Sequence, residues 1–144
     1  MKGPFFMDTA FLLAVIDASD RHHETAAECY RKIVSRKLSV LTTDAVLIEI
    51  GNGLSKLKWR QAAHQWITGI EKSRTIFTVV PVDADLLARA VRMYGERADK
   101  EWGLTDCISF VVMKERNLSA ALTVDRHFEQ EAGFNICMDI DALP

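Results

Sequence analysis

The chain has no apolar stretch approaching the ~20 residues of a membrane span, and Asp8 interrupts the segment from Phe5 to Ile16 where a secretory signal needs uncharged residues. Membrane insertion and export are therefore not expected; a cytoplasmic protein is. Cysteine is scarce as well. Cys29, Cys107 and Cys137 are odd in number and lack the paired spacing of a zinc site, so they read as reduced thiols, with Cys107 in the core. Three prolines and seven scattered glycines leave no linker, repeat or low-complexity segment. Neither sign of charge dominates: the net charge is −2 and the pI about 6.1, so a polyanion would be held only by a local basic patch or through bound metal. Histidine is sparse too. His22 and His23 open a polar helix and read as solvent-facing, while His64 and His127 lack a second ligand at useful spacing, so none is assigned to metal or to general-base work.

What is present is ordinary globular material, 144 residues with 49% hydrophobic and 26% charged side chains and a mean hydropathy of +0.01. That suits one domain over residues 1–144, long enough to bury about 70% of its unfolded surface. Short apolar runs at Phe5 to Met7, Leu38 to Leu41, Ile76 to Val82 and Ala120 to Val124 are strand candidates. Helical spacing fills the gaps: Thr9 to Asp17, His23 to Arg36, Asp44 to Lys58, Arg60 to Lys72, Asp83 to Ala98, Thr105 to Glu115 and Arg126 to Ala132. Such alternation predicts an α/β fold with a parallel sheet. In the third helix Val46, Ile50, Leu54 and Leu57 form a stripe for the core, with Glu49 at its border. The helix from Thr105 is apolar almost all round and should be buried on several sides, with Thr105 as its N-cap and Asp106 in its first turn.

Asp8 and Asp125 follow directly on strand candidates, at carboxyl ends, where open α/β sheets collect their ligands. Asp106, opening a buried helix, is placed to point into the same crevice. Carboxylates brought close together repel and raise one another's pKa unless a cation shares them. Oxygen-only ligands favour a hard ion such as Mg²⁺, which keeps waters and takes substrate phosphate oxygens. Each acid also has a plainer reading: Asp8 and Asp125 as helix caps, Asp106 as a first-turn carboxylate favoured by the helix dipole. Glu49, in mid-helix, caps nothing.

Four motifs carry a resemblance to the PIN-domain ribonucleases, especially the VapC-type toxins of toxin–antitoxin pairs. They are Phe6-Met7-Asp8-Thr9, Thr42-Thr43-Asp44 leading to Glu49, Leu104-Thr105-Asp106-Cys107, and Leu122-Thr123-Val124-Asp125-Arg126-His127-Phe128. Their order and spacing span nearly the whole chain. The resemblance implies a single PIN-like domain, a central parallel sheet of four to five strands flanked by helices, and a pocket for Mg²⁺ or Mn²⁺ at Asp8, Glu49, Asp106 and Asp125. It implies endonucleolytic cleavage of RNA, a protein antitoxin and a homodimer, the last also suggested by the apolar Phe11, Leu12, Val15 and Ile16. Asp125 matches a less uniform position of the family, and Thr9 with Ala10 stands where members often carry Ser or Asn.

Around the pocket Thr9, Thr105 and Arg126 are expected to contact substrate, Arg126 at the rim beside Asp125. Lys56, Lys58, Trp59 and Arg60 form a basic, aromatic stretch that reads as a solvated helix end with Trp59 half-buried rather than as an RNA track. Trp66 and Trp102 read as packing residues. Two other functions fail on residues that they require. A dehalogenase-like phosphatase needs a second aspartate at position 10, which is Ala10, and a receiver domain needs an acidic pair and a strand-end lysine that this chain lacks. The remaining alternative is a non-catalytic PIN-like module that binds RNA or protein; the presence of all four acids places it behind catalysis.

Overall fold

The apolar runs become strands in a computed structural model that describes residues 4–130 and 134–142. β1 (Phe5–Met7) and β2 (Val40–Thr43) are buried on both faces, β3 (Phe77–Val80) is half-covered, and β4 (Ala120–Leu122) and β5 (Asn135–Cys137) complete one sheet. All neighbours pair in parallel, in the order β3-β2-β1-β4-β5. The chain therefore steps outward from β1 in one direction and then returns to build the other half, which makes the β1/β4 boundary the point where strand order reverses. Crevices of α/β sheets open at the carboxyl ends of the strands at such a point.

Parallel strands need crossovers, and helices supply them. They are α1 (Thr9–Ile16), α2 (His23–Arg36), α3 (Asp44–Gly53), α4 (Leu57–Lys72), α5 (Ala84–Glu96), α6 (Leu104–Glu115) and α7 (His127–Gln130). The expected α/β class and parallel sheet are observed. β5 is not among the strand candidates, and the expected helix to Ala132 is described only as far as Gln130, since 131–133 lie outside the described residues.

Three local expectations are corrected. The helix from Asp44 stops at Gly53, and α4 begins at Leu57. Leu57 consequently leaves the apolar stripe and is 91% exposed, whereas Val46, Ile50 and Leu54 are buried as expected. His23 is half-buried, its Nδ1 2.8 Å from the Ala14 carbonyl, because α2 packs back on α1. Finally, Phe11, Leu12 and Val15 are buried in the chain's own core, so they are not free to hold a second copy.

α6 is the hub. Every residue from Cys107 to Met113 is buried. Phe110 meets Trp102 edge-on at 5.0 Å and Phe128 at 4.9 Å, which ties α7 and the loop before α6 to the core. Tyr30 plays the same part on the other side, with Trp66 at 4.8 Å and Phe77 at 5.9 Å. Both tryptophans pack as expected, and Cys107 is fully buried. Among the described residues no helix is long and apolar enough to cross a membrane.

Candidate metal centre

The carboxyl ends of β1 and β4 are tied together before any charge is considered. The Thr42 hydroxyl donates to the Met7 carbonyl (2.9 Å), fixing the end of β1 against β2, and the Asp8 N–H donates to the Leu122 carbonyl (3.2 Å), fixing it against β4. Asp8 occupies the N-cap position of α1, yet its side chain makes no capping bond. Its carboxylate instead accepts the Thr123 hydroxyl at 2.8 Å. That same hydroxyl accepts the Asp125 N–H at 3.0 Å, so one buried threonine sets the positions of two acids. Asp8 is therefore the N-cap of α1 by position only, since its side chain makes no capping bond.

Asp106 arrives from the other side. The N-cap of α6 is Gly103, not Thr105, and Asp106 Oδ2 accepts the Gly103 N–H at 3.0 Å from the first turn. A first-turn carboxylate is favoured there by the helix dipole, so the bond fixes its direction at little cost. Asp125 Oδ1 accepts the His127 N–H at 2.9 Å and so also has a local capping bond. Both acids nevertheless converge. Donor atoms of Asp106, Asp125 and His127 lie within 4.8 Å of one another, and His127 Nδ1 is 3.3 Å from Asp106 Oδ2 and 3.3 Å from Asp125 Oδ1.

Electrostatics follow from burial and crowding. Asp8 is 4% exposed, and burial pushes its carboxyl up to about 7; the Thr123 hydroxyl and the Thr9 N–H oppose this, while the charges of Asp106 and Asp125 add to it. Burial also raises Asp106, with Asp125 adding to the rise and the Gly103 N–H and His127 opposing it. Charge on Asp8 and on Asp106 is thus disfavoured at the switch point, an arrangement that a divalent cation would relieve.

Glu49 sits differently. It lies on the exposed side of α3, outside the three-residue group, and its Oε1 accepts the Thr9 hydroxyl at 2.6 Å. Thr9 is thereby occupied in holding Glu49 beside the first turn of α1. Thr105 is half-buried and its carbonyl accepts the Ser109 hydroxyl, while Arg126 is 84% exposed and pairs with Glu129 at 3.0 Å. His127, to which the sequence reading gave no role, joins Asp106 and Asp125 in the convergent group. The signal is present as a histidine two positions after Asp125, in the same turn.

A sequence model of the PIN domain matches residues 5–133, and the chain belongs to the PIN-domain family. Within that family it is similar to VapC-type toxins. It is 30% identical over 131 residues, 90% of this chain and 94% of the relative, to the 23S rRNA-specific endonuclease VapC20 of Mycobacterium tuberculosis, in strains CDC 1551 / Oshkosh and H37Rv alike. The crystal structure of M. tuberculosis VapC20, described as a Sarcin-Ricin loop cleaving toxin, superposes with a TM-score of 0.78 at 29% identity, covering 92% of this chain and 97% of that one. VapBC2 from Rickettsia felis, bound to a promoter DNA fragment, has a TM-score of 0.65 at 16% identity, covering 92% and 96%, and shares the fold. FitAcB from Neisseria gonorrhoeae does so at 0.63 and 17%, with the same coverage. The resemblance carried by the four motifs is borne out.

Proposed function

We propose that residues 1–144 act as one metal-dependent endoribonuclease domain, the toxin of a toxin–antitoxin pair, with Asp8, Glu49, Asp106 and Asp125 as its acidic pocket. The observation that supports this reading is the convergence of Asp106 and Asp125, with Asp8 near enough for both charges to act on its carboxyl, at the β1/β4 switch point in a chain of the PIN family. Their carboxylate oxygens suit a hard dication, Mg²⁺ or Mn²⁺. Such an ion supplies Lewis acidity, lowering the pKa of water and drawing charge from the leaving oxygen of a phosphodiester.

The chain's own groups do the positioning. The Thr123 hydroxyl orients Asp8 and Asp125, and the Gly103 N–H orients Asp106. Glu49, with Oε1 held by Thr9, keeps Oε2 for a proton from water at the rim. Arg126 reaches substrate phosphate from the rim. Its exposed link to Glu129 is worth about 0–1 kcal/mol, so a phosphate can displace it. Thr105, one residue before Asp106, is a second phosphate contact.

RNA is the substrate in this reading and a protein antitoxin the regulator, on the strength of the VapC likeness. The protein works in the cytoplasm, where its three cysteines, none of them in a disulfide, stay reduced. A homodimer would use an apolar surface outside the early helices, such as exposed Leu87, Val91 and Tyr94 on α5. The deciding experiment is cleavage of an RNA panel by purified protein with Mn²⁺ or with excess EDTA, with Asp106→Asn as contamination control. Cleavage only with metal and only by wild type is expected; equal cleavage in EDTA would refute the reading.

A further inference from the structure

We infer that His127 is a nitrogen ligand to the cation held by Asp106 and Asp125, and that it biases this centre towards Mn²⁺ over Mg²⁺. The inference rests on the metal-dependent reading above and goes beyond it in naming a donor and a preference.

Geometry is the first support. Neighbouring donors around one octahedral ion, with bonds of about 2.1 Å, stand roughly 3 Å apart. His127 Nδ1 is 3.3 Å from each of two carboxylate oxygens that arrive from different elements, α6 and the loop after β4. Preorganisation is the second. The next residue, Phe128, is fully buried, 4.9 Å from Phe110 and 6.3 Å from Phe6, which anchors the turn that carries the imidazole. The His127 N–H bonded to Asp125 Oδ1 at 2.9 Å closes that turn on the acid itself. A ligand whose backbone is locked by packing and whose neighbour is hydrogen-bonded holds its direction without the metal.

Chemistry supplies the preference. Magnesium favours oxygen and gains little from imidazole, whereas first-row transition ions accept nitrogen readily. A site of carboxylates alone would discriminate weakly between Mg²⁺ and Mn²⁺; a nitrogen donor beside them raises Mn²⁺ affinity selectively. The same contacts would also arise if a protonated imidazole merely bridged the two acids as a counter-ion, and the two arrangements differ once metal is bound.

The test uses the full chain with Mn²⁺ alone as the probe. Pulsed electron paramagnetic resonance of wild type, prepared with ordinary and with ¹⁵N-labelled histidine, should show a directly bonded nitrogen whose coupling changes with the label. His127→Gln should lose that coupling, and His64→Gln, altered at an exposed position of α4, should keep it. Titration should show Mn²⁺ affinity falling about tenfold in His127→Gln, with Mg²⁺ affinity, read by competition, changing less than about threefold. Bound Mn²⁺ with no histidine coupling, or equal loss for both ions, overturns the inference and leaves the nuclease reading standing. No Mn²⁺ binding by wild type overturns both. The isotope arm needs no variant, so a folding defect in His127→Gln cannot mask the answer.

Discussion

Replacing Asp8 by asparagine should stabilise the metal-free protein, and by an amount that grows with pH. The native carboxyl titrates at about 7 against 3.8 for the unfolded group. Between those values the native state keeps a proton that the unfolded chain has released, so stability falls as pH rises through the window. At about 1.4 kcal/mol per unit, the shift corresponds to a penalty of roughly 4 kcal/mol, complete above pH 7 and absent below pH 4. The amide of the Asp8→Asn variant cannot ionise and escapes this penalty, while its side-chain oxygen still accepts from Thr123. Urea denaturation in EDTA should therefore show a stability gap between Asp8→Asn and wild type that widens by about 3 kcal/mol from pH 5 to pH 8. In a thermal melt at pH 8 the variant should gain roughly 10 °C. Adding Mn²⁺ should reverse the order, because only the carboxylate gains from the cation. Parallel stability curves for the two proteins in EDTA would refute the argument, since they would mean that Asp8 is charged in the native state at no cost.

Other expectations separate residues that look alike in sequence. Thr123→Val should cost about 1–3 kcal/mol by leaving the Asp125 N–H without its acceptor, and should move the Asp8 breakpoint to higher pH, read in the same denaturation series. Leu54→Ala should cost about 2–5 kcal/mol, whereas Leu57→Lys should stay within about 0.5 kcal/mol; a large loss at Leu57 would contradict its 91% exposure. Thr9→Val should lower the RNA cleavage rate with little change in melting temperature, and Thr9→Ser should restore it, because the hydroxyl on Glu49 is what matters. Sedimentation at micromolar concentration should show a dimer; if it shows monomer alone, the homodimer is wrong.

Strand positions are readable where both faces of the sheet are covered, because a fully buried parallel strand is a continuous apolar run. Phe5 to Met7 is of this kind, and Ala120 to Leu122 nearly so, with only Ala120 half-buried. β5 is not readable, since Asn135-Ile136-Cys137 is a short edge strand held mainly by its pairing to β4. The break between α3 and α4 escapes a sequence reading because apolar spacing continues through Leu57 while the backbone turns away after Gly53. At the site, Asp8 and Asp125 are legible from strand ends, and Asp106 from the start of an apolar helix. Glu49 is expected at a buried border, and its exposure reflects which face α3 gives to the core. His127 has no second histidine or cysteine at useful spacing along the chain to draw attention to it. Its neighbours are carboxylates, and one of them, Asp106, lies 21 residues earlier on another helix, a proximity that only the folded sheet creates.

The Thr123 bond to Asp8 joins positions 115 residues apart in the chain. A growing polypeptide can form β1, β2 and β3 and their helices while half of the pocket is still untranslated. Only after β4 has docked against β1 do Asp8 and Asp125 come together, so closure of the pocket depends on one of the longest-range contacts in the molecule and belongs late in assembly. For a nuclease, this order of events leaves the fragment still being translated without a closed pocket.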